Sequence, residues 1–207
     1  MAVLAVSGMD FEARIASGPG VETLYGHRDA ALARVLDARL AQGCDGVISF
    51  GVAGGLDPTL PPGTVIVATA VRAGDASYST DPYWTAALRR ALPQAVCGLL
   101  AGSDTPVTTV TGKTALHESH GALAVDMESH IAALAAQTHH IPFAALRVVI
   151  DPADRPVPPL AVAAQTAVEG AQIGIEVTVC REASDLNDRG INITNYDRLH
   201  KFDPAIF

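Results

Sequence analysis

The feature that most constrains this chain is a set of uninterrupted apolar runs, most of them stopped by glycine or aspartate. Residues 2–7 read AVLAVS before Gly8, residues 47–50 read VISF before GVAGG, residues 64–71 read TVIVATAV, and residues 143–150 read FAALRVVI before Asp151. Apolar character without alternation is what a strand needs when both faces of its sheet are covered, so these runs predict central strands of a mostly parallel sheet. Between the first two, HRDAALARVLDARLAQG sets Leu32, Val35, Leu36 and Leu40 on one helical stripe, with Gly43 as its stop. Arg39 falls on the apolar side of that helix and must snorkel or find a partner. Strand, helix, strand in this order gives parallel pairing with a right-handed crossover.

Further elements are weaker. A helix is predicted over 82–91, with Asp81 as cap and Pro82 in its first turn. Val96–Leu100 and Val107–Val110 read as marginal strands, and Ala122–Val125 as a short one. A helix then starts near Met127, with Ile131, Leu134 and Ala135 facing the core. From about residue 170 the text turns polar and rich in Asn and Asp, with one β-like piece, IGIEVTV. The chain therefore divides into a domain over 1–169 and an atypical C-terminal segment over 170–207, open to reading as a cap, a partner-binding tail or sequence foreign to the domain.

At 207 residues and 21.4 kDa, one domain with a sizeable core is the default. No apolar run reaches the roughly 18–20 residues of a membrane-spanning helix, and the start lacks the basic region of a secretory signal. A net charge of -8, with no dense Lys/Arg cluster, argues against a nucleic-acid partner. Cys44, Cys97 and Cys180 are odd in number and widely spaced, which fits a reducing cytoplasm rather than a disulfide framework. His117, His120, His130, His139 and His140 have no metal-ligand spacing, so no metal is expected. GVAGG is neither GxGxxG nor a P-loop, so no dinucleotide or other cofactor is expected; it reads equally as a ligand contact or a tight turn.

Four polar places fall at the carboxyl ends of predicted strands: Asp10/Glu12, the 51–55 loop, Asp126/Glu128 and Asp151/Asp154. That edge of an open α/β sheet is where ligands bind. Glu12 reads as a catalytic carboxylate or a helix-start residue, and Arg14 as a phosphate contact or a surface ion pair.

ISFGVAGGLDPTLPPGTVIVA, AVDMESHIAALAA and ALRVVIDPAD, in this order and spacing, resemble the nucleoside phosphorylase and nucleosidase superfamily. The likeness is to its methylthioadenosine/S-adenosylhomocysteine nucleosidase-like branch, and most of all to hopanoid-associated phosphorylase-like proteins, and it runs from residue 1 to roughly 165. It implies a three-layer α/β/α fold around a mostly parallel mixed sheet. It implies that Glu12 activates the attacking water, that Met127 packs on a ribose whose hydroxyls Glu128 accepts, and that Asp151 donates a proton toward N7 of the leaving purine. Met9 would stand beside the sugar, with Val52, Ala53 and Gly54 lining the reacting centre. Ile150 replaces the Ser that many relatives carry before this Asp, removing a hydroxyl that can fix the carboxylate. The 51–60 stretch holds no Arg or Lys to bind phosphate, which favours hydrolysis over phosphorolysis; inorganic phosphate would be a cosubstrate only in the second case. The resemblance further implies a homodimer acting on a purine nucleoside or a nucleoside-linked lipid such as adenosylhopane, with transient membrane contact at most.

Overall fold

A computed structural model describes residues 2–157. Its elements are β1 (Val3–Val6), α1 (Asp10–Ala16), β2 (Val21–Leu24), α2 (Asp29–Leu40), β3 (Gly46–Gly55), β4 (Val65–Ala73) and β5 (Ala76–Ser79). They continue with α3 (Pro82–Ala91), β6 (Val96–Gly102), α4 (Val110–His120), β7 (Ala124–Asp126), α5 (Ser129–Thr138) and β8 (Phe143–Asp151). The apolar runs form the centre as predicted. The C-terminal segment over 170–207, including IGIEVTV, lies outside the described residues.

Sheet connectivity is governed by the length of β3. Its first half pairs in parallel with β1, its last residues meet β7 antiparallel, and β8 runs parallel along almost its whole length. β8 also meets β4, which pairs with β6, which pairs with β7. The path β3–β8–β4–β6–β7–β3 therefore closes on itself, while β1 and β2 extend one side and β5 the other. Parallel pairs predominate, and β3·β7, β4·β5 and β4·β8 are antiparallel.

Alternation along the strands sorts side chains into two layers. Leu4, Val6, Val47, Phe143, Ala145 and Val149 face α2 and α5, whose Leu32, Leu36, Leu40, Ile131, Ala132 and Ala136 complete that core. Ala5, Ile48, Phe50, Ala144, Leu146 and Val148 face the opposite way, packing with Ala16 of α1 and Leu88 of α3. This is the three-layer α/β/α arrangement. No helix among the described residues is long and apolar enough to cross a membrane.

Several expectations are corrected. GVAGG is the end of β3 rather than a loop, because β8 and β7 supply ladder partners for its backbone on both sides. Val107–Val110 is not a strand: Thr109 accepts a hydrogen bond from the Gly112 amide at 3.1 Å and starts α4, which ends at left-handed Gly121. Capping overrides the β-branched residues there. α5 starts at Ser129 instead of Met127, and Leu134 points outward at 49% exposure while Ala136 takes the core position. β2, half-buried for most of its length, and β5, largely exposed, are short and lacked any apolar run to announce them. Arg39 finds its partner in Glu22, donating from Nε at 2.7 Å and from Nη2 at 2.5 Å.

The predicted α3 cap is present, with Asp81 accepting from the Trp84 amide at 2.8 Å. Asp81→Ala should lower stability by about 1 kcal/mol in urea denaturation; an unchanged midpoint would mean that the cap carries no weight.

Candidate active site

On the α5-facing side of β3 the residues are Val47, Ser49, Gly51 and Ala53, a small-residue column, and β8 sets Ala145, Arg147 and Val149 beside it. Arg147 lies opposite Gly51. A Cβ at Gly51 would sit 2.7 Å from Arg147 Nη1 and collide with Glu12, and the backbone there has φ +152°. The glycine therefore makes room for a guanidinium and a carboxylate in a layer otherwise filled by Ala, Val and Ile.

Arg147 is fully buried. Its Nε donates to Asp126 Oδ2 at 3.1 Å, and its Nη2 donates to Ser49 Oγ at 2.5 Å and Ser129 Oγ at 3.1 Å. Glu128 Oε2 lies 3.7 Å from Nη2. Nη1 has no hydrogen-bond partner among the described residues. Asp126 is an organiser: Oδ1 accepts from the amides of Glu128 and Ser129 at 3.0 and 2.7 Å, and Oδ2 also accepts from the Ser129 hydroxyl at 2.6 Å. It thereby starts α5 and orients Arg147 together.

Glu12 comes to the same place from the other side of β3. It is the third residue of α1 and reaches back to accept from the Met9 amide at 2.8 Å, while its Oε1 accepts from the Val52 amide at 2.8 Å. The helix-start reading and the site reading are thus both true of it. Glu12 is buried, and that burial pushes its carboxyl upward against the pull of Arg147 and of the Val52, Met9 and Gly8 amides. Glu128 is raised to about 7, first by burial, then by the charges of Asp126 and Glu12, with Arg147 and Arg28 opposing. Burial therefore works against the charged forms of Glu12 and Glu128, and the Arg147 guanidinium works in their favour.

Asp151 lies four residues beyond Arg147 on β8, about 13 Å along the strand. Its carboxyl is raised by burial and pulled down by Lys113, whose ammonium donates to Oδ2. Gly54 is beside it, where a Cβ would come within 3.2 Å of Oδ2. Met9, the N-cap of α1, and Met127, two residues before α5 begins, are both half-buried. Asp154 is exposed and stands apart, and Arg14 is an exposed side chain paired with Asp10. Arg147, Lys113, Ser49 and Ser129 escaped the reading of the sequence. The available signals were a lone arginine in an otherwise apolar strand, and a lysine on the same helical stripe as Leu116.

With this geometry in place, comparison with known proteins is informative. The model of the phosphorylase superfamily matches residues 3–177, and the chain belongs to that superfamily. A futalosine hydrolase from Streptomyces coelicolor is 35% identical over a match covering 52% of this chain and 54% of that protein. The chain thus spans about half the length of the curated relative it matches. Among solved structures, 5'-methylthioadenosine/S-adenosylhomocysteine nucleosidase of Neisseria meningitidis, bound to methylthio-immucillin-A, superposes with a TM-score of 0.66 at 21% identity, covering 73% of this chain and 86% of that one. The Helicobacter pylori counterpart gives 0.67 at 18% identity, covering 91% and 98%. At such identities these structures establish the fold.

Glu128 yields a test of the electrostatics. A carboxyl raised from 4.5 to about 7 on folding favours the folded state below pH 4.5, and that advantage is lost as pH rises to about 7. The loss is on the order of 3 kcal/mol. Glu128→Gln should therefore stabilise the protein at pH 8 relative to wild type, with the gap closing toward pH 5. Denaturation curves at both values measure it; an equal difference at both would contradict the raised carboxyl.

Proposed function

We propose that the protein hydrolyses the N-glycosidic bond of a purine nucleoside, with Glu12 as general base, Glu128 as ribose clamp and Asp151 as proton donor to the leaving base. The observation that carries the reading is the setting of Glu12: a buried carboxylate that accepts from the Met9 and Val52 amides, beside an arginine whose Nη1 lacks a partner among the described residues. Amides and a guanidinium are what a phosphorylase would turn toward its phosphate. Here the protein's own carboxylate fills that ground, leaving a water as the species that both Glu12 and Arg147 Nη1 can hold.

The chemistry follows from the charges. As the C1′–N9 bond breaks, the ribose gains oxocarbenium character and the electron pair moves to the purine. Glu12 and Glu128 present negative charge to the sugar, and Glu128 accepts from its 2′ and 3′ hydroxyls. The water adds at C1′ and passes its proton to Glu12, while Asp151 gives a proton to N7. Burial raises this carboxyl, which favours the protonated form that donation requires. Met9 and Met127 supply apolar contact to the sugar, and Val52, Ala53 and Gly54 form the wall between sugar and base.

For the substrate, the wording GVAGGLDP and VDMESH supports adenosylhopane, with adenine as the released base, in hopanoid biosynthesis. Methylthioadenosine and S-adenosylhomocysteine are supported by the fold neighbours, and futalosine by the Streptomyces relative. The same reading takes the protein as a cytoplasmic homodimer with no more than passing membrane contact.

Base release from adenosylhopane, methylthioadenosine and futalosine, with and without phosphate, tests this directly. Free sugar without phosphate is the expected product from one of the three, and Glu12→Gln should lower kcat by about 10²–10⁴. Strict phosphate dependence with sugar 1-phosphate as product would make it a phosphorylase. Tight binding of a nucleoside analogue without turnover would make it a binding protein.

A further inference from the structure

The base-side half of the site holds a charge that the reaction as described does not use. Lys113, in the first turns of α4, is fully buried, and its ammonium has an acceptor for each of its N–H bonds. These are Asp151 Oδ2, the Pro152 carbonyl at 2.8 Å and the Arg155 carbonyl at 3.0 Å. The same helix has an apolar contact of its own: Leu116, one turn further along α4, lies against the cluster of Leu56, Ala101, Ala122 and Val125. A cation near a helix N-terminus also opposes the helix dipole, and burying an ammonium is expensive even when it is paired.

What the ammonium does is fix one carboxylate. Ile150 brings no hydroxyl, Gly54 brings no side chain, and Lys113 is the one side chain that hydrogen-bonds Asp151 among the described residues. Asp154 and Arg155 in the same turn are exposed, and Arg155 contributes through its carbonyl. We propose that Lys113 is the positioning residue of the base-side acid: it anchors Asp151 through Oδ2, turns Oδ1 to the leaving purine, and stabilises the carboxylate left when the proton has gone. This rests on the reading of Asp151 given above.

The step balances without a new reactant. The C1′–N9 electron pair goes to the purine, the proton passes from Asp151 Oδ1 to N7, and Asp151 becomes an anion against an ammonium that keeps all its protons. Solvent then returns to Asp151 the proton that the attacking water lost to Glu12. An acid whose conjugate base is paired transfers its proton more readily, so Lys113 acts at the moment of transfer.

The test uses the full chain with Lys113→Met, Asp151→Asn and the double variant. Each is assayed across pH on the nucleoside that wild type turns over and on p-nitrophenyl riboside, whose leaving group departs without protonation. Lys113→Met should lower kcat on the nucleoside by about 10²-fold with KM little changed. It should spare p-nitrophenyl riboside to within a few-fold and add little to Asp151→Asn. Because the lost cation had favoured ionised Asp151, the alkaline limb of kcat/KM should move to higher pH. Equal losses on both substrates with an unmoved limb, or additive losses in the double variant, reduce Lys113 to a structural part and overturn the inference. Turnover lost in Asp151→Asn but kept in Lys113→Met overturns it alone, whereas turnover untouched by Asp151→Asn overturns the functional reading and the inference with it. Lys113→Gln, which keeps a donor without the charge, gives the same comparison if the methionine variant does not fold.

Discussion

A guanidinium shut off from water must be surrounded by acceptors, and in this protein the demand of Arg147 arranges the carboxylate cluster between β3, β8 and the start of α5. Asp126 meets it and in doing so begins α5; Ser49 and Ser129 meet it from β3 and the helix; Glu128 lies within reach. Glu12 arrives from α1 across a strand whose glycine lets it come that close. Breaking a buried pair of this kind typically costs about 3–5 kcal/mol, far more than an exposed ion pair contributes. The cluster therefore holds its geometry firmly, and in the proposed reaction its carboxylates would face a ribose that gains positive charge.

The base side solves a similar problem with another cation. Asp151 accepts from Lys113 of α4, and the residue before it, Ile150, offers no hydroxyl. Two buried cations thus serve one site: Arg147 is surrounded by a surplus of carboxylates, and Lys113 stands against a single one. The imbalance is what the proposed glycosidic cleavage would call for, with positive charge developing on the sugar and negative on the base.

Much of the fold was legible because its signal is local. The runs at 47–50, 64–71 and 143–150 needed only to be apolar on both faces, and that is visible in any window of the chain. β2 and β5 lie at the sheet's edges, where hydrogen bonds to a neighbour decide the structure and side chains say little. Closure of the sheet through β7 and β8 was also hidden, since it depends on which strands meet. Of the candidate site, Glu12, Glu128 and Asp151 stood out because each lies at or near the carboxyl end of a strand. Arg147 and Lys113 did not, because an arginine in a strand or a lysine in a helix is ordinarily a surface residue. Only the assembled layers show them buried, although the small-residue column Ser49, Gly51, Ala53 was a clue that something large sits opposite.

A crystal structure with a purine nucleoside analogue that resists cleavage tests the central claim most directly. The account predicts the ribose 2′ and 3′ hydroxyls on Glu128, the purine N7 at Asp151 Oδ1, and an ordered water within hydrogen-bond distance of both Glu12 and Arg147 Nη1. An anion in place of that water, or a nucleoside seated with its base against Arg147, would contradict it.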